Sequence, residues 1–92
     1  MSRIRFRKKA EDDLRSIITY YDGVAPHSLN NILSDIHRSI DLLLNFPQIG
    51  MPVPARAFRR IVTLRYHFKI AYQVDGDMIL ILGIFRFQDR DS

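Results

Sequence analysis

Residues 77–87 read Asp-Met-Ile-Leu-Ile-Leu-Gly-Ile-Phe-Arg-Phe, and from Met78 to Phe85 only Gly83 interrupts the large apolar side chains. A strand with one wet face alternates apolar and polar residues, whereas a strand covered on both faces is a continuous apolar run. The stretch Met78–Phe87 therefore predicts a strand whose two faces both need cover. The rest of the chain supplies two helices at most, enough for one face of a small sheet. The other face is either solvated at a cost or covered by a partner protein.

Reading back toward the N-terminus, Asp75-Gly76 is a tight hairpin signal that sets this strand against the one before it. Residues 67–74 alternate, with Phe68, Ile70, Tyr72 and Val74 on one face and His67, Lys69, Ala71 and Gln73 on the other. Phe58–Leu64 is a further strand candidate, its pattern blurred by Arg59-Arg60. Residues 47–55, Pro-Gln-Ile-Gly-Met-Pro-Val-Pro-Ala, predict a stiff extended loop. Leu29, Ile32, Leu33, Ile36, Ile40, Leu43 and Leu44 recur at helical spacing, with Pro26 in the first turn and Pro47 ending the helix at or before Phe46. Ala10, Leu14, Ile17, Ile18 and Tyr21 line one face of an earlier helix, closed by Asp22-Gly23 with the glycine as its left-handed cap. Arg3-Ile4-Arg5-Phe6-Arg7 alternates as a short strand. The order β-α-α-β-β-β predicts an α+β fold, a helical hairpin on one face of a small antiparallel sheet, with residues 1–92 forming a single domain.

Composition narrows the function classes. The chain has 92 residues, 47% hydrophobic and 26% charged, and no cysteine. That excludes a disulfide framework, a thiolate metal site and a thiol nucleophile, and suits the cytoplasm. The basic N-terminus lacks the apolar core of a signal peptide, and the longest apolar run falls far short of the ~20 residues that span a bilayer. The net charge of +4 is unevenly spread: residues 1–9 and 55–72 each carry five more positive than negative charges, whereas residues 10–54 have a net charge of −4. The basic charge falls on the predicted strands, which implies an acidic partner.

No phosphate-binding glycine loop, HExxH pair or serine elbow is present, and His27, His37 and His67 fall in different elements, so neither a metal nor a cofactor is expected. His37 and Asp41 read as a surface pair. The credible constellation is basic: Arg56, Arg59, Arg60, Arg65, His67, Lys69, Arg86 and Arg90. Such a cluster neutralises phosphates or grips an acidic protein, and cleavage of RNA through its 2′-hydroxyl would add His67 as the group that titrates near neutrality. Arg3, Arg5 and Arg7 form a second basic row, which on an edge strand also discourages aggregation.

Four segments together resemble the RelE/ParE superfamily of toxins from type II toxin–antitoxin systems. They are Ala10-Glu-Asp-Asp-Leu-Arg-Ser-Ile-Ile-Thr-Tyr-Tyr, Leu43-Leu-Asn-Phe-Pro-Gln-Ile-Gly, Arg60-Ile-Val-Thr-Leu-Arg-Tyr-His-Phe-Lys-Ile-Ala-Tyr-Gln-Val and Ile79-Leu-Ile-Leu-Gly-Ile-Phe-Arg. The resemblance runs from residue 3 to about residue 91, and it implies a cytoplasmic toxin held inactive by a cognate antitoxin that wraps over it. Operator DNA would be bound only through the antitoxin. RelE-like members cut mRNA in the ribosome, and ParE-like members poison DNA gyrase without catalysis. This chain has no tyrosine after Tyr72, and its ending, Arg86-Phe-Gln-Asp-Arg-Asp, has arginine where ParE-like members usually have histidine. The long second helix and the lysine-poor middle favour the ParE-like branch. On that reading Arg56, Arg59, Arg60, Arg65 and Lys69 contact the target or the antitoxin, together with Ile79, Ile81, Phe85, Arg86 and Arg90. On the nuclease alternative, Arg59, Arg65, His67 and Arg86 surround the scissile phosphate. A third possibility is a degenerate module that only binds antitoxin.

Overall fold

The computed structural model describes residues 3–86. Strand β1 (Arg3–Phe6) leads into helix α1 (Lys8–Val24), and a 3-10 turn at Pro26–Ser28 leads into helix α2 (Leu29–Asn45). Strands β2 (Met51–Pro52), β3 (Arg59–Val62), β4 (Lys69–Asp75) and β5 (Met78–Phe85) follow. The five strands form one sheet in the order β1-β5-β4-β3-β2. The fold is α+β, as the element order predicts, with two additions. Met51-Pro52 is not loop but a short edge strand paired with Arg60 and Arg59, and the outermost position of the sheet is where a proline does no harm. The sheet is also not wholly antiparallel, because β1 runs parallel to β5 with Ile4 opposite Ile79 and Phe6 opposite Ile81.

Helix α1 does not stop at Asp22-Gly23. It continues to Val24, and the Ala25 N–H closes it by donating to the Tyr21 carbonyl at 2.8 Å. Gly23 has open space around it and carries no cap, so the chain turns at Ala25-Pro26 instead. Helix α2 ends as Pro47 requires, with the Phe46 N–H donating to the Leu42 carbonyl at 2.9 Å.

The β4–β5 turn is displaced by one residue from its sequence signal. Asp75 pairs with Met78, so Gly76-Asp77 are the two turn residues, and Gly76 has φ +61°. Glycine at the first central position is the signature of a type II′ hairpin, whose twist matches that of the strands.

The register of β5 explains its unbroken apolar run. Ala71 lies opposite Gly83, whereas Tyr72 lies opposite Ile81, so Leu82 is one residue more than β4 can pair. A bulge of this kind shifts the side-chain alternation by one. Ile79 and Ile81 before it, and Ile84 after it, consequently share the face that both helices cover. There they join Ala10, Ile17, Ile32, Ile36, Ile40, Leu43, Phe68, Ile70 and Tyr72 in one core. Leu80, Leu82 and Phe85 fall to the opposite face, where each is half-buried.

Among the described residues no helix is long and apolar enough to cross a membrane.

Candidate functional site

The face of the sheet opposite the helices carries a groove of about 390 Å³. Arg60, Ala71 and Gly83 lie side by side across β3, β4 and β5 and form part of its lining. Leu82, Phe85, Val53 and Phe58 add apolar surface, and Lys9 and Arg56 complete the lining. Among the described residues, every charged one in this lining is a cation. The sequence expectation of a basic sheet surface with uncovered apolar residues is thus met in one place.

The geometry of the rim follows from the shortness of β1. Pairing with β5 ends where the Arg7 N–H donates to the Ile81 carbonyl at 2.9 Å. Beyond that point no described strand pairs with this edge of β5, and α1 supplies an acceptor: Asp13 Oδ2 receives the Ile84 N–H at 3.0 Å. The same oxygen takes Lys9 Nζ at 2.7 Å, and Nζ stands 4.3 Å from the centre of the Phe85 ring. A Cβ on Gly83 would sit 2.8 Å from Phe85 Cζ, so the glycine is what lets that ring lie back over the strand.

The other candidate residues go elsewhere. Ile79 and Ile81 are wholly buried against the helices, which removes them from any binding face. A run of apolar residues on β5 cannot say which alternate set points inward. The partners do: Ile79 pairs with Ile4 and Val74, and Ile81 with Phe6 and Tyr72, all core-facing. The outward residues are Leu80, Leu82 and Phe85. Arg59 is committed to the loop before β2, its Nη1 donating to the carbonyls of Gly50 at 2.8 Å and Gln48 at 3.3 Å. Beside it the Tyr72 hydroxyl donates to the Pro47 carbonyl and accepts the Gly50 N–H, both at 2.8 Å. Burial pushes the Tyr72 pKa above its usual value, against the opposing effects of the Gly50 N–H and the Arg59 charge. Arg86 stacks on the Tyr20 ring of α1 at 4.9 Å. Arg90, Phe87 and the polar tail lie outside the described residues.

Arg65 and His67 sit in the β3–β4 hairpin, which is bolted to α2. Asp35 is only 7% exposed and accepts the N–H groups of Arg65 at 3.1 Å and Tyr66 at 2.7 Å. Burial raises its pKa, but hydrogen bonds from the Thr63 hydroxyl and the Tyr66 and Arg65 N–H groups, with the charge of Arg38, outweigh it and hold the carboxyl below its usual value. Thr63 closes the hairpin from inside: its N–H donates to the Phe68 carbonyl at 2.8 Å, and its hydroxyl oxygen accepts the Phe68 N–H at 2.9 Å.

Of the basic constellation, then, Arg56 and Arg60 share the groove, and Lys69 pairs with groove-lining Phe85 across the strands. Lys9, Val53, Phe58, Leu82 and Gly83 join the groove although none belongs to the basic constellation or to the apolar candidates of the sequence. Leu82 is signalled by the double apolar character of its strand. Val53 and Phe58 carry no signal, since they reach the groove only through the path of the loop. His37 Nε2 and Asp41 Oδ2 form the expected surface pair at 3.2 Å. Among the described residues no group of three potential ligands could hold a metal ion.

The family model for the ParE toxin of the type II toxin–antitoxin system parDE matches residues 4–90. Among solved structures, one described as "Chromosomal ParDE TA system from P. aeruginosa" matches with a TM-score of 0.81 at 25% sequence identity, over 96% of this chain and 98% of that one. No curated protein sequence matches the chain.

Proposed function

The chain belongs to the ParE toxin family of type II toxin–antitoxin systems, and from that premise we propose that it arrests growth by binding DNA gyrase, not by cutting RNA, and that its cognate antitoxin silences it by filling the groove on the open face of the sheet. The groove is the observation that carries this reading. Its apolar floor gains from being covered, and its cationic rim selects an occupant with acidic side chains beside its aliphatic ones. An extended or helical antitoxin segment has that form. Arg56, Arg60, Lys69 and Phe85 are the sequence candidates we assign to this contact, with Lys9 and Leu82 added.

The placement of the arginines supports binding over catalysis. A nuclease scheme built on Arg59, Arg65, His67 and Arg86 needs all four at one phosphate. Arg59 is held by backbone carbonyls at the level of Tyr72, while Arg86 lies past the Lys69–Phe85 pair and against α1. Purified, antitoxin-free protein is to be incubated with DNA gyrase and plasmid, scoring trapped double-strand cleavage complexes and lost supercoiling. Both are expected. Intact gyrase activity in the presence of folded toxin, with mRNA cut in translating ribosomes instead, would overturn the proposal.

A further inference from the structure

The β3–β4 hairpin ends in an apolar side chain that the fold holds out into solvent. Leu64 is 89% exposed, the highest value among the described large hydrophobic residues, and Val62 beside it is 40% exposed. Arg65 follows, exposed, its guanidinium 5.3 Å from the Tyr66 ring. A single exposed leucine needs no explanation. A hairpin tip that is apolar, basic and held rigid does. Two linked devices hold it, the Asp35 carboxylate on two consecutive N–H groups and the double closure of Thr63 on Phe68, and the backbone they impose carries His67 into the left-handed region at φ +61°. A histidine in that conformation is strained, and such strain persists only where surrounding contacts impose it. Thr63 itself is wholly buried, so the apex rises directly from a fixed base.

We infer that the tip of this hairpin, Leu64 with Arg65, is the anchor by which the toxin grips its target protein, Leu64 entering an apolar pocket and Arg65 pairing with an acidic group at the pocket's rim. The inference rests on the proposed mode of action, binding without catalysis, and it adds the contact that performs it. Shape decides between the two partners. A segment that wraps a surface seeks a concavity, which the groove provides. A rigid convex apex fits a partner that is already folded and itself concave, which describes a large target and not a wrapping segment. Preorganisation serves the same end, because a loop already in its bound shape loses little entropy on docking. The groove and the hairpin also adjoin: Val62 and Lys69 form the last pair before the tip, and Lys69 pairs with Phe85 of the groove. A segment lying in the groove would stand next to the tip and block access to it.

The test uses Leu64→Asp and Arg65→Ala, with Val24→Ser as a control that removes another exposed apolar side chain, from the end of α1. None of these changes removes a backbone hydrogen bond, so melting temperatures are expected to stay close to wild type. Each protein is induced to matched levels for colony counts, and purified for titration against DNA gyrase. Leu64→Asp is expected to raise the inhibitory concentration about tenfold or more and to restore colony formation, Arg65→Ala to do so partially, and Val24→Ser to do neither. Full toxicity and full inhibition by folded Leu64→Asp would overturn the inference while leaving the gyrase reading intact. Relief of growth arrest by Leu64→Asp, with gyrase untouched even by the wild type, would uphold the anchor and discard gyrase as its target. A wild type that affects neither growth nor gyrase would overturn both.

Discussion

Replacing Tyr72 with phenylalanine isolates two hydrogen bonds from everything else the residue does. The ring is fully buried in the core and would stay there. What is lost is the hydroxyl between the Pro47 carbonyl and the Gly50 N–H, each at 2.8 Å. Gly50 is buried, and its N–H would be left without an acceptor, at a cost of about 1–3 kcal/mol. The Pro47 carbonyl is only half-buried, so its loss adds about 1 kcal/mol or less. A change of about 2–3 kcal/mol is large against the roughly 5–14 kcal/mol that a domain of this length has in hand. It corresponds to a fall in melting temperature of about 10–20 °C. Urea denaturation and thermal melts followed by circular dichroism measure it, with an unchanged m-value confirming that the unfolding transition is the same. The alkaline limb supplies a second check. The folded-state pKa of Tyr72 is raised, so its contribution is complete below the unfolded value near 10 and is lost as pH climbs through the folded value. The wild type should therefore weaken above about pH 10 more steeply than the variant. A loss below about 0.5 kcal/mol in Tyr72→Phe would mean that the hydroxyl does not hold the 47–50 loop, and the account of Arg59 as a structural residue would fall with it.

Three further outcomes follow from the same contacts. Gly50→Ala should destabilise by about 1–3 kcal/mol, since its Cβ would lie 2.6 Å from Tyr72 Cε1 in a region that cannot yield; a melt equal to wild type would refute the close approach. Asp35→Asn should cost about 1–3 kcal/mol at pH 7, because an amide offers one acceptor oxygen where the hairpin needs more. Its carboxyl has a lowered pKa in the fold, so that stabilisation is complete above the unfolded value near 3.9 and fades as pH falls through the folded one; urea titrations at pH 7 and pH 3 should show the gap between wild type and variant narrowing in acid. Leu82→Asp or Arg60→Glu should weaken antitoxin affinity about tenfold or more by isothermal titration, and undiminished affinity would remove the groove from the antitoxin contact.

Much of this protein is legible in the spacing of its residues. The helical periods of residues 10–21 and 29–44 depend only on local spacing, and both helices lie where that spacing puts them. The clean alternation of residues 67–74 likewise marks β4, whereas the basic charge blocks are only in part strand: Arg3, Arg5, Arg59, Arg60 and Lys69 lie on strands, but Lys8 and Lys9 open α1, and Arg56 and Arg65 sit in loops. Gly23 misleads because a glycine near a helix end is a cap only if the chain turns there, and Ala25-Pro26 takes that turn instead. Met51-Pro52 misleads because a two-residue strand has no period, and only its pairing with Arg59 and Arg60 defines it.

The sequence by itself determined that a strand near the C-terminus is apolar on both sides, that helices can cover only one of them, and that basic charge gathers in the segments around the strands. Those are properties of composition along a single segment. Which apolar residues face which way was decided by the tertiary structure. In a strand of period two, a slip of one residue exchanges the faces, and a segment in which both alternate sets are apolar holds no record of the choice. Pairing with β1 and β4 makes that choice for Ile79 and Ile81, and the Leu82 bulge brings Ile84 to the same side, leaving Leu80, Leu82 and Phe85 outside. The arginines were likewise alike in sequence. Only the three-dimensional path of the 47–52 loop gives Arg59 to backbone carbonyls and leaves Arg60, one residue on and on the opposite face, in the groove.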